Sequence, residues 1–125
     1  MSLLIIVAEA TTGGFFVGGG SEDRTDYAVP ALAVSVTDAD GIPLGGLKTS
    51  NFAVRFLAAD QVDPTFHKAN VVVANEQIPG LYVLGLQPVN VVPPKGCQKY
   101  LYAIAVTGAK KTDHGQTLTS LELCV

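Results

Sequence analysis

Tryptophan is absent from this chain of 125 residues, and charge is scarce, at 15% Asp, Glu, Lys and Arg with a formal net charge of −3. A duplex nucleic-acid binder draws its affinity from neutralising phosphates, so this balance excludes that class. Two cysteines are too few for a disulfide-dense miniprotein, and a hydrophobic content of 48% excludes a disordered tail. Long apolar runs are missing too, and nothing approaches the ~20 residues of a transmembrane helix. Leu3–Ala8 lacks the basic leader and the length of a secretory signal. The chain therefore reads as soluble, although a mature chain whose signal had been removed would read the same. Helical periodicity is the last absence, because 13 glycines and 7 prolines punctuate the chain too often for uninterrupted helix.

What remains alternates with period two. In Ala31–Thr37, Leu32, Val34 and Val36 point one way while Ala33, Ser35 and Thr37 point the other. Asn51–Leu57 sets Phe52, Val54 and Phe56 against Ala53 and Arg55. Ala69–Ala74 is apolar throughout, as a strand covered on both faces would be. Leu81–Leu86 follows a Pro79-Gly80 turn and offers Tyr82, Leu84 and Leu86 to one side. Tyr100–Thr107 offers Tyr102, Ile104 and Val106, and Gln116–Val125 offers Leu121, Leu123 and Val125. With Leu3–Ala8 these make about seven short strands, which predicts an all-β, two-sheet antiparallel sandwich with Greek-key connections. The best helical candidate, Ala58–His67, contains Pro64.

The N-terminal stretch fits less neatly. Thr11-Thr12-Gly13-Gly14-Phe15-Phe16-Val17-Gly18-Gly19-Gly20 reads as flexible or sharply bent, because glycine loses the most backbone entropy on being fixed. Two adjacent phenylalanines there need burial. The predicted organisation is an apolar strand and Gly-rich segment over 1–26, packed on or exchanged with a sandwich over 27–125. Leu3–Ala8 and Phe15–Val17 are expected to pair with a sheet edge of this chain or of a neighbour.

The segment "ALAVSVTDADGIPLGGLKTSNFAVRF" (Ala31 to Phe56) resembles the opening half of bacterial immunoglobulin-like modules and their transthyretin-like (prealbumin-like) relatives. There an alternating strand runs into Asp-x-Asp-Gly-x-Pro, a Gly-Leu step and a second strand. "IPGLYVLGLQP" is similar to their Pro-Gly-x-Tyr strand, and "KYLYAIAVTG" with "HGQTLTSLELCV" to their closing hairpin. The resemblance covers about residues 28–125 and rests on turns and strands. It implies the fold and a surface, adhesive or structural role, and it carries over no catalytic residue.

Each candidate site has a plainer account. Asp38-Ala39-Asp40-Gly41 could be half of a calcium loop, but no further oxygen ligands follow, and a turn explains it better. Gly18-Gly19-Gly20-Ser21 lacks the Gly-Lys-Ser/Thr ending of a phosphate loop, and Glu22 and Asp23 would repel phosphate. His67 and His114 fall in two separate predicted loops with no spaced His/Cys partner, and no Gly-x-Ser-x-Gly elbow accompanies the serines. No catalytic, metal or cofactor residue is assigned. The transthyretin-like hydrolases end in Tyr-Arg-Gly-Ser, whereas this chain ends in Leu123-Cys124-Val125.

Cys97 and Cys124 are the most informative pair. A hairpin through Gly108–Gly115 allows a register that sets them directly opposite and another that leaves them diagonal. Both fall on the side away from the inferred core, and direct opposition would allow a disulfide. The alternative is two half-buried thiols. A bridge would point to an extracellular or cell-surface location; without it a cytoplasmic or virion location fits equally.

Outward positions are unusually apolar, with Ala31, Ala33, Ala53, Val72, Leu101 and Ala103 among them. Monomers rarely expose large contiguous apolar patches. The expectation is a non-enzymatic, self-associating structural or adhesive module of a bacterial surface or phage-type assembly. Its partner would be another copy or a neighbouring domain, with Phe15, Phe16, Val72 and Leu101 in the interaction surface. The alternative cover is the N-terminal strand itself, on a monomer. The alternative function is a small transthyretin-like hydrolase with an interfacial active site holding His67 or His114.

Overall fold

Leu32, Val34 and Val36 are wholly buried, and the smaller residues between them lie on the opposite face of one strand. The computed structural model describes residues 3–18, 25–59, 70–87, 89–91, 97–110 and 112–124. The strands in chain order are β1 (Ile5–Gly18), β2 (Thr25–Thr37), β3 (Phe52–Ala59), β4 (Val71–Ile78), β5 (Leu81–Leu86), β6 (Val89–Val91), β7 (Cys97–Thr107) and β8 (His114–Cys124). One 3₁₀ turn, Thr49–Asn51, precedes β3, and no α-helix occurs among the described residues.

The strands form two antiparallel sheets. One runs β1-β2-β5-β4, with β6 pairing the leading part of β2; the other runs β3-β7-β8. The chain changes sheet between β2 and β3, β3 and β4, and β6 and β7. This is the expected two-sheet sandwich. Between the sheets, Leu32, Val34, Val36, Tyr82, Leu84 and Leu86 meet Phe52, Tyr100, Tyr102, Ile104, Val106 and Leu121. One ring pair crosses the layer, Phe52 and Tyr82 centred 5.0 Å apart, while Phe56 packs within its own sheet, 6.2 and 6.1 Å from Tyr100 and Tyr102. Burying such side chains is the main force holding the layers together.

Strand β1 ties the sheets at one corner. Leu3 bridges His114 in parallel, and the Leu4 N–H donates to the His114 carbonyl at 2.9 Å. Beyond that point the chain crosses to β2, and Leu4 and Ile6 enter the core. Gly115 makes the crossing feasible, since a Cβ there would lie 2.5 Å from the Leu4 carbonyl oxygen and 2.8 Å from Ile6. No L side chain fits in that space.

Several local expectations need correction. The Gly-rich stretch does not end β1, which pairs with β2 as far as Gly18 opposite Thr25. The ladder slips between Thr11 and Gly14, beside Pro30, which has no N–H to give a regular ladder. The Val71-Val72-Val73 run is not covered on both faces. It opens β4, an edge strand, and Val72 is the extra residue of a bulge and 63% exposed. His114 does not lie in a loop but opens β8. A short eighth strand, β6, was not expected. Of the helical candidate, Ala58 and Ala59 complete β3. The rest of that segment, with His67, lies outside the described residues, as do 19–24 and 92–96.

Both ends of the sandwich follow from the register. The β2–β3 and β4–β5 connections and the turn between β7 and β8 lie at the near end, where Leu3 meets His114. Gly18, Ala59, Val71, Leu86, Cys97 and Cys124 all terminate strands at the far end.

Candidate functional site

The near end is locked by the chain's own polar groups. Asp38 Oδ1 accepts from the Asp40 and Ile42 N–H groups, both at 2.9 Å, and Gly41 takes φ 80°, so this segment is a side-chain-capped turn. The Glu76 carboxylate accepts from the Gly46 N–H, at 3.2 and 3.3 Å to its two oxygens, and from the Gly80 N–H at 3.3 Å. Donors aimed at the charged form hold the Glu76 carboxyl below its ordinary pKa, Gly80 contributing most. The Tyr82 hydroxyl donates to the Leu44 carbonyl at 2.7 Å and accepts from the Leu47 N–H at 3.0 Å. Burial pushes the Tyr82 and Tyr102 phenols up. Glu76 and Tyr82 fasten the β2–β3 connection onto the four-strand sheet, and each is occupied by these structural bonds.

The outer faces of the two sheets differ in chemistry. On β3-β7-β8 the outward rungs carry Arg55, Lys99, Glu122, Gln116 and His114 between alanines and leucines, a mixture that water accommodates. A shallow depression of about 280 Å³ lies there, lined by residues that include Arg55, Ala103, Ala105 and Gln116. Among the described residues, its lining holds no serine, cysteine, histidine or carboxylate. Among the described residues, no three of His, Cys, Asp and Glu gather as a metal group.

The outer face of β1-β2-β5-β4 is different. Its rungs run Val7–Ser35–Leu81–Ile78, then Glu9–Ala33–Val83–Asn75, then Ala31–Gly85–Val73, with Ile5 beside Thr37. Ile5, Val7, Val73 and Ile78 are 48, 60, 41 and 62% exposed. Glu9 is the only charged residue among the described positions of this face, and it sits on the edge strand. The central residues are Ser35, Ala33, Ala31, Leu81, Val83 and Gly85, so the surface is largely apolar.

The residues singled out from sequence do not gather into one patch. Val72 sits on the β4 edge of one sheet, and Leu101, 36% exposed, on the outer face of the other. Phe15 and Phe16 occupy the far half of β1, opposite Ala28 and Tyr27. Cys97 and Cys124 face each other on the last rung of β7 and β8. Ala31 and Ala33 do belong to the apolar face. The N-terminal strand, the alternative cover for such a face, instead enlarges it with Ile5 and Val7. The missed signal was Leu3–Val7 itself, a run apolar at both parities, which supplies Leu4 and Ile6 to the core and Ile5 and Val7 to the outside. No helix among the described residues is long and apolar enough to cross a membrane. No family model, curated protein or solved structure matches this chain.

Proposed function

We propose that this chain is a non-enzymatic, immunoglobulin-like (prealbumin-like) interaction module that associates with a second copy of itself through the outer face of β1-β2-β5-β4. Its place would be a structural or adhesive one in a bacterial surface or phage-type assembly. One observation carries this reading: a sheet face whose described outward positions hold a single charge, Glu9, at its margin. A two-fold related copy stacked on that face would bury apolar area against apolar area and leave Glu9 at the wet rim. Edge-to-edge pairing through β3 or β4 is disfavoured, since bulges at Leu57, Val72 and Gln77 interrupt those edges. The hydrolase reading draws no support from the depression on the other sheet, which among the described residues offers only Arg55 and Gln116 as polar side chains.

The test is a charge placed on each face in turn. Ala33→Lys or Val83→Lys should dissociate the assembly, and Ala103→Lys on the opposite sheet should leave it intact, all three keeping the strand-rich circular dichroism spectrum. Equal effects from both faces, or none from either, would overturn the assignment.

A further inference from the structure

We infer that Cys97 and Cys124 form an intrachain disulfide that staples the far end of the β7–β8 hairpin, a modification independent of the association proposed above. The β7–β8 ladder runs without a slip from Thr107 opposite His114 to Cys97 opposite Cys124. This regularity decides the matter, because β1–β2 and β3–β7 each slip by a residue and β4–β5 slips twice. A one-residue slip here would have moved Cys124 off the rung of Cys97 and onto the opposite face. Directly opposed residues of an antiparallel pair have Cα atoms about 4.5 or 5.5 Å apart, depending on the rung. Both values fall within the roughly 4.4–6.8 Å that a disulfide spans. Diagonal neighbours, at about 7–8 Å, fall outside it.

Position gives the bond its purpose. The cysteines form the terminal rung, where a ladder otherwise frays, and Pro93-Pro94-Lys95-Gly96 stands immediately before Cys97 in the sequence. Strands β1, β3 and β5 also end there, so the staple lies at the end of the sandwich from which the β1–β2 and β3–β4 connections leave. The bond forms by exchange with a disulfide oxidant. One cysteine thiolate attacks it and expels a thiolate, and the second cysteine then attacks the mixed disulfide and expels another. Two cysteine thiols are oxidised, one oxidant disulfide is reduced to two thiols, and two protons are released or passed to the leaving thiolates. Such a bond persists in an oxidising compartment.

The experiment equilibrates the folded protein with oxidised and reduced glutathione, traps thiols with an alkylating agent under denaturing conditions, and reads intact mass and linked peptides. The expected product is a monomer-mass chain lighter by two hydrogen atoms, unalkylated, with Cys97 and Cys124 in one linked peptide. Reduction should lower its melting temperature by roughly 10 °C. The Cys97→Ser/Cys124→Ser variant should melt like the reduced protein and ignore reductant. Moving the partner to the diagonal, as Glu122→Cys with Cys124→Ser, should abolish the intrachain bond. Full alkylation of both thiols after oxidation, linkage only between chains, or a diagonal pair that bridges equally well would overturn the inference.

Discussion

Gly115 lies against the Leu4 carbonyl so closely that a Cβ would stand 2.5 Å from its oxygen. The glycine is there for approach, not for an unusual backbone angle. It lets the start of β1 lie along β8, donate its Leu4 N–H to His114, and send Leu4 and Ile6 inward at 8% exposure each. Gly115→Ala should therefore push the leading residues of the chain off β8 and cost about 2–4 kcal/mol, the range for losing well-buried aliphatic packing. Urea unfolding checks this, and a loss under about 0.5 kcal/mol, the scale of an ordinary surface change, would contradict it.

Tyr82 joins the sheets in another way. Its ring packs on Phe52 while its hydroxyl satisfies both the Leu44 carbonyl and the Leu47 N–H. Tyr82→Phe keeps the ring and strands two part-buried backbone groups. The expected cost is about 1–3 kcal/mol, with faster amide exchange at Leu47. Unchanged exchange at Leu47 would show that the hydroxyl does not hold the connection.

Glu76 sets the acid behaviour of the near end. Its folded pKa is lowered by the Gly80 and Gly46 N–H groups. The charged carboxylate therefore adds stability above its unfolded pKa, and that share is lost as pH falls through the folded value. The melting temperature of the unmodified protein should exceed that of Glu76→Gln at neutral pH, with the gap closing below about pH 4. A gap independent of pH would place the effect elsewhere.

Much of the sandwich was legible because period-two alternation maps directly onto an inside and an outside, as at Leu32–Val36 and Tyr82–Leu86. The β4 strand was not. A run of three valines looks the same whether both faces are covered or a bulge leaves Val72 and Val73 exposed together on an edge. The extension of β1 through its glycines was hidden for another reason, since ladder bonds to β2 are made by backbone and leave no pattern in side chains. The two cysteines were narrowed to two registers by the hairpin, and the unslipped ladder selects one. The scarcity of charge marked an exposed apolar surface. Only the register showed that it lies on β1-β2-β5-β4, with the opening strand as part of it.

The most direct measurement is the mass of the unmodified protein in solution by light scattering, taken across a wide concentration range and repeated on Val83→Lys. Association through the apolar face predicts a mass rising from 13.0 kDa toward twice that value, and a Val83→Lys chain that stays monomeric and folded. A monomeric mass for the unmodified protein at every concentration, or a Val83→Lys variant that associates as well as its parent, would contradict it.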